Sequence, residues 1–288
     1  MRFLFLRCGA PDVDLPAEAY DLSAVPSRKE LALVDAAATN LLPHDPTPSL
    51  DEIAAQPDVR HLGAPAAAPQ EPYLEDRLRV VVAGSDSALN AVITRLMRAD
   101  NLWAEVAFVP TGESAAGANW GLPAQPRDAL EIARTAPVRP VPLIRNDSGQ
   151  AVAGSATISD WSNGPLTGEI IIDDATLAAS GRGTFGARLV PMTDAPGILA
   201  ARATSPVEPA GRLRSLLRKP GRLDPDSVRT GRAIQAGGPQ LRVIVDAIPH
   251  KRPLTRVTFY RHLRDLQVVR PLASFAAHAG SASSPRLR

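Results

Sequence analysis

The residues best placed to do chemistry lie between an apolar strand and a helix. Gly84-Ser85-Asp86-Ser87-Ala88 follows Val80-Val81-Val82-Ala83 and opens a helical pattern. At such a junction in an open parallel sheet, backbone amides at the helix N-terminus bind phosphates, and small side chains let the backbone approach them closely. The same residue types also act as plain turn-formers and caps, so the segment reads as a phosphate loop or as a capped turn. A second stretch, Gly112-Glu113-Ser114-Ala115-Ala116-Gly117, nearly spells the Gly-x-Ser-x-Gly of a serine hydrolase, with His250 and His262 downstream. Its last glycine comes one place late, and Gly117, Gly121 and Pro123 interrupt the long helix that a nucleophile elbow requires. The histidines, His44, His61, His250, His262 and His278, lack metal-ligand spacing. Trp103, Trp120 and Trp161 read as packing residues.

The elements around the first turn form a βαβ unit. Leu78 to Ala83 is continuous apolar sequence, which predicts a strand buried on both faces. Ala88 to Ala99 predicts a helix whose inner side carries Leu89, Val92, Ile93 and Leu96, and Val106 to Val109 is the next strand. Upstream, Arg2 to Cys8 is a short buried strand. Ser27-Arg28-Lys29-Glu30 and Ser49-Leu50-Asp51-Glu52 both fit a capping box. Leu31, Val34, Ala38 and Leu41 mark one face of the helix after the first box, and Pro43 stops it. A helix over about 127–135 and a strand over 138–144 complete the first unit.

Beyond Asn146 the helical periodicity fades. Strand-like runs at 151–158, 169–172, 187–190, 198–203, 241–245, 257–260 and 266–269, separated by turn residues, predict a β-sandwich or barrel. The expected organisation is a parallel-sheet α/β nucleotide-binding domain over 1–147, a β-sandwich over 148–273 and a disordered tail over 274–288. Residues 205–226, with Arg212, Arg214, Arg218, Lys219 and Arg222, read either as a solvated basic linker or, with Leu213, Leu216 and Leu217, as an amphipathic turn against anionic lipid.

Composition bounds the function. A net charge of +2 falls short of the concentrated positive field of a nucleic-acid binder, so no nucleic-acid partner is expected. Cys8 is the lone cysteine, which excludes an intramolecular disulfide and a thiolate cluster. Phe3-Leu4-Phe5-Leu6 is shorter than the core of a signal peptide (about 7–15 residues), and no apolar run reaches the ~20 residues of a membrane span. A soluble, cytoplasmic protein is expected.

The residues from Gly84 to Val92 resemble the Gly-Gly-Asp-Gly-Thr-Leu-Asn-Glu-Val signature of the diacylglycerol kinase family. Pro110-Thr111-Gly112 is similar to that family's second glycine-rich loop, and Gly121-Leu122-Pro123 to the Gly-Leu-Pro that follows it. Val245-Asp246-Ala247-Ile248-Pro249 resembles its Asp-Gly-Glu motif. The resemblance spans roughly 78–270 and implies the NAD-kinase-like two-domain fold, ATP and Mg²⁺ as cofactors, and phosphoryl transfer to a lipid hydroxyl at a membrane surface. It also allows a homodimer. It implies nucleotide contacts from Gly84, Ser85, Asp86, Ser87, Asn90, Thr111 and Gly112, with Asp246 as the remaining catalytic carboxylate. Asp86, Asp173, Asp174 and Asp194 are then candidate magnesium donors, or ordinary turn caps.

Several positions depart from that pattern. Ser85 and Ser87 replace glycines, which is costly wherever the turn needs φ > 0, and Ala88 replaces threonine. Glu113 places a negative charge beside the expected phosphates. Ile248 stands where the resemblance implies a glutamate general base, whose loss typically removes about 10²–10⁴-fold in rate. These departures point to a catalytically impaired pseudokinase as the alternative to a lipid kinase.

Overall fold

The computed structural model describes residues 1–57, 63–208 and 221–271. In chain order the first half holds β1 (Arg2–Cys8), β2 (Tyr20–Leu22), α1 (Ala32–Ala38), α2 (Leu50–Ala54), β3 (Leu78–Gly84), α3 (Asp86–Arg98), β4 (Glu105–Pro110), α4 (Ala115–Asn119), α5 (Pro126–Thr135) and β5 (Val138–Val141). The second half holds β6 (Ile144–Asn146), β7 (Ala151–Val152), β8 (Ala156–Asp160), β9 (Glu169–Ile172), β10 (Ala175–Ala179), β11 (Gly186–Pro191), β12 (Ile198–Ala203), β13 (Arg229–Gly231), β14 (Ala233–Val245), β15 (Ile248–Pro249), β16 (Leu254–Arg261) and β17 (Leu266–Val269).

The first domain is a six-stranded sheet in the order β2-β1-β3-β4-β17-β5. All neighbours are parallel except β17 and β5, so the sheet is mixed. Every residue of β3 and β4 is buried, as their unbroken apolar sequence requires. One face packs against α1 and α3 through Val34, Leu89, Val92, Ile93 and Leu96. The other packs against α5 through Ala129, Leu130 and Ala133. The Ser49–Glu52 capping box forms at the start of α2; Ser27 and Glu30 exchange the same pair of bonds, at 2.8 and 3.3 Å, but in the turn ahead of α1, whose own N-cap, Leu31, has no side-chain bond. Leu31, Val34, Ala38 and Leu41 are all buried on one side.

Two strand expectations change. The run 138–144 divides into β5, in the first sheet, and β6, in the second. The run 266–269, expected among the strands of the second half, is β17, which returns to the first sheet between β4 and β5. Its residues Leu266, Val268 and Val269 are apolar and wholly buried, which suits an interior strand better than a sandwich edge.

The second domain is one eleven-stranded antiparallel network rather than two separate sheets. Its hub is β14, thirteen residues long. The first part of β14 lies beside β9 (Ile234↔Ile172) and the last part beside β8 (Val243↔Ile158), with β16 along the other side. The register breaks between Gly237 and Leu241, across Gly238-Pro239-Gln240, where glycine and a proline without an N–H permit a bulge. The layers so formed enclose a core of Ile144, Ile158, Ile170, Ile234, Val243 and Phe259. The expected strand 151–158 is broken into β7 and β8 by Ala153-Gly154-Ser155, whose amides are committed to Asp246 instead of to a ladder. Of the expected basic linker, residues 209–220 lie outside the described residues, as do His61, His278 and residues 272–288, which contain the expected disordered tail.

Candidate functional site

The C-terminal ends of β1, β3 and β4 open toward the second domain, and α3 leads from β3 into the junction. Gly84 closes β3: a Cβ there would lie 2.9 Å from the Cys8 carbonyl oxygen and 3.1 Å from the Ala88 Cβ. Ser85 is the N-cap of α3, and its hydroxyl accepts from the Ala88 amide at 3.3 Å. Its φ is −86°, and Ser87 is absent from the residues of positive φ, so neither serine incurs the strain expected of replacing a glycine. The Ser85 and Ser87 hydroxyls lie 3.2 Å apart.

Asp86, in the first turn of α3, is turned toward the second loop. It accepts from the Ser114 hydroxyl at 2.5 Å and from the Ala115 and Ala116 amides at 2.9 and 3.4 Å. Ser114 is itself the N-cap of α4, accepting from the Gly117 amide at 2.7 Å, so the near-elbow sequence forms a helix cap. Thr111 and Gly112 are exposed; the Thr111 amide donates to the Gly84 carbonyl at 3.1 Å, and a Cβ on Gly112 would meet nothing within 4 Å.

Asn90, Thr94 and Arg98 recur every fourth residue on one side of α3 and join it to the second domain. The Asn90 amide group donates to the Ala151 carbonyl at 2.5 Å and to Asp246 Oδ2 at 2.7 Å. The Ala151 amide donates to Thr94 Oγ1 at 3.1 Å. Arg98 donates to the carbonyls of Gly149 at 3.0 Å and Ser148 at 3.3 Å. Asp246 is 3% exposed. Besides Asn90, it accepts from the amides of Ala153 (2.8 Å), Gly154 (2.7 Å) and Ser155 (2.9 Å). Burial pushes its carboxyl up to about 6, and the four N–H donors oppose that rise. Asp246 and Ala247, with φ of +46° and +66°, form the two-residue turn between β14 and β15. Both residues of a type I′ hairpin turn require positive φ. The two carboxylates meet across Gly154: Asp246 holds its amide, and a Cβ on it would lie 2.4 Å from Asp86 Oδ2.

A cleft of about 650 Å³ runs alongside this junction. Its walls come from the loop before α1 (Arg28), from α3 (Ser87, Asn90, Thr94, Arg95, Arg98), from the turn after β6 and from Ile248. Sequence reading had missed the basic side of this cleft, because Arg28 is about sixty residues distant from α3 and no local spacing links them. Arg95 is held by the Asp35 carboxylate through Nε at 3.0 and 2.9 Å. Arg28 is exposed and has no ion pair among the described residues.

Of the expected nucleotide contacts, Ser87 and Asn90 line this cleft, whereas Gly84, Ser85, Asp86, Thr111 and Gly112 are not among its walls. Magnesium needs anchoring oxygens, most often carboxylates. The cleft walls contain none, Asp86 is committed to α4, and Asp246 is buried. Asp173, in the β9–β10 turn, accepts from the Arg232 and Ala233 amides at the β13–β14 junction, both at 2.9 Å. Asp174 and Asp194 are exposed. Among the described residues no three His, Cys, Asp or Glu side chains gather in a metal-binding group. The donor set therefore does not fit Mg²⁺.

Neither a protein-family model nor a curated protein matches the chain. Solved structures do. A diacylglycerol kinase from Bacillus anthracis str. Sterne is similar over 94% of this chain and 97% of its own, at 9% identity and a TM-score of 0.55. A second structure from that organism, assigned as a diacylglycerol kinase, is similar over 95% and 98%, at 10% identity and a TM-score of 0.52. An NAD kinase from Archaeoglobus fulgidus in complex with ATP aligns over 93% and 94%, at 10% identity and a TM-score of 0.44. No helix among the described residues is long and apolar enough to cross a membrane. An α/β domain of mixed sheet, followed by a large antiparallel domain and completed by the returning β17, is the fold of this chain, and it is similar to that of the diacylglycerol kinase structures.

Proposed function

We propose that this chain is a catalytically impaired pseudokinase of the lipid-kinase fold, whose interdomain cleft binds a phosphate-bearing ligand, nucleotide or lipid, without transferring the phosphoryl group. One observation carries the reading: the cleft is lined by Arg28, Arg95, Arg98 and Ile248 and by no carboxylate. Arg28 and Arg98, neither in an ion pair among the described residues, favour an anion, with Arg95 beside them paired to Asp35. Transfer to a lipid hydroxyl, the activity implied by the resemblance to diacylglycerol kinases, needs a base within hydrogen-bond reach of that hydroxyl. Isoleucine accepts no proton, and Asp246, the remaining carboxylate of the motif, is buried with four donors on its two oxygens.

The test has two arms on the full chain. Thermal unfolding is followed with ATP, ADP or a short-chain phosphatidate, and transfer of labelled γ-phosphate to diacylglycerol is followed in mixed micelles. A ligand at ~100 times its Kd adds ~2.7 kcal/mol of stability, so at least one of the three raises the Tm by several degrees. Transfer stays at the level of a protein-free control. Turnover above that control overturns the proposal, and so does the absence of a shift with all three ligands.

A further inference from the structure

We propose that the cleft recognises its phosphate group without a metal ion, through the guanidinium groups of Arg28, Arg95 and Arg98. This deepens the binding reading above and rests on it. Enzymes that handle phosphoryl groups commonly offset the anion with Mg²⁺ held by one or two carboxylates together with the phosphate itself. Here the walls supply cations where that arrangement needs anions.

The three arginines differ in how they are held, and the differences suit an anion site. Arg95 is fixed by the Asp35 carboxylate of α1, which cancels much of its charge and sets its direction. Arg98 is held by two backbone carbonyls, which orient a guanidinium without neutralising it. Arg28 has no ion pair among the described residues and stands at the cleft wall with its charge uncompensated. Ser87 adds a hydroxyl beside them, whereas the Thr94 hydroxyl is committed, accepting from the Ala151 amide and donating to Asn90 Oδ1. A magnesium ion carried in on a nucleotide would neutralise the phosphate oxygens these groups bind and would sit against like charges. The ligand class is a metal-free phosphomonoester or polyphosphate. A soluble phosphate and a lipid head group share that chemistry.

Isothermal titration calorimetry on the full chain separates the cases. The probes are ATP, inorganic pyrophosphate and dihexanoyl phosphatidate below its micelle concentration, each in EDTA and again in excess MgCl2. The expected result is binding of at least one probe in EDTA, weakened about tenfold by excess Mg²⁺. Arg28→Gln, at an exposed position where folding is unaffected, weakens the EDTA affinity about tenfold, the lower end for a hydrogen bond to a charged group. Tighter binding of ATP and pyrophosphate than of phosphatidate identifies a soluble ligand, and the reverse order identifies a lipid. Binding that is unchanged or tightened by Mg²⁺, or indifferent to Arg28→Gln, overturns the inference while leaving the binding reading intact. Failure of every probe in both buffers overturns the binding reading and this inference with it.

Discussion

Asp246 couples the stability of the protein to pH in a direction opposite to that of most carboxylates. Its carboxyl is raised from 3.8 to about 6 by burial. Between those values the native state holds a proton that the unfolded chain has released. The stability this group contributes is therefore full below about pH 4 and is lost as the pH rises through about 6. At about 1.4 kcal/mol per pH unit the loss amounts to about 3 kcal/mol. Asp246→Asn keeps the shape and cannot titrate, so the difference between wild type and this variant isolates the effect from carboxylates that behave conventionally, such as Glu30, whose bonds to the Ser27 and Ser23 amides and hydroxyls lower it to about 2. Urea unfolding followed by tryptophan fluorescence suits the measurement, because Trp103 and Trp120 lie in the first domain and Trp161 in the second. Wild type should gain about 3 kcal/mol over Asp246→Asn between about pH 7 and about pH 4. A difference that stays flat, or that favours wild type as the pH rises, would refute the reasoning and show that the four N–H donors outweigh burial.

Three further outcomes follow from the same junction. Ala247→Gly removes the cost of a left-handed alanine (about 1–2 kcal/mol) and adds glycine's greater loss of backbone freedom (about 0.5–1 kcal/mol), for a net gain of about 0.5–1 kcal/mol. Differential scanning calorimetry should register this as a Tm rise of about 2 °C. Gly154→Ala drives a methyl to 2.4 Å from Asp86 Oδ2 and 2.9 Å from the Ala116 amide nitrogen, neither free to yield, and should cost about 1–3 kcal/mol in denaturant unfolding. Asn90→Ala leaves Asp246 and the Ala151 carbonyl each short of a donor, at about 2–4 kcal/mol. Hydrogen exchange should accelerate at residues 151–155 while the amides of β3 and β4 keep their protection.

The first domain was legible because its signals are local. Val80-Val81-Val82 could only be a strand buried on both faces, and the α3 periodicity and the capping box of α2 are contained within short windows. The second domain was less so. Residues 233–240 of β14 escaped notice because Gly237-Gly238-Pro239 reads as a loop, whereas the sheet uses those residues to exchange one neighbour strand for another. The return of β17 is set by a vacancy between β4 and β5, which no sequence window contains. At the site the turn chemistry of Gly84 to Ala88 was readable. The partners of Asp86 and Asp246 were not, since they come from residues 114–116 and 153–155.

Positions that match the diacylglycerol kinase signature and positions that depart from it fall in different surroundings, and this decides what a single restored residue can do. Gly84, Asp86, Asn90 and Asp246 match, and each has a use in holding the fold: close packing against Cys8, capping α4, bridging to Ala151, and gathering residues 153–155. Ser85, Ser87, Glu113 and Ile248 depart, and each is exposed or partly so, with Ser87 and Ile248 in the cleft walls; Ala88, wholly buried, is the exception. Ile248→Glu supplies the carboxylate that the resemblance implies at this position, but in a cleft wall shared with Arg28, Arg95 and Arg98. Nearby cations hold a carboxyl below its ordinary range, and a base so acidified accepts protons poorly at neutral pH. It also cancels positive charge that would otherwise meet a phosphate. The expected outcome is no phosphoryl transfer to diacylglycerol and about tenfold weaker binding of the phosphate probe. Measurable transfer by Ile248→Glu would instead mean that the cleft retains everything but the base, and that the arginines serve a transition state.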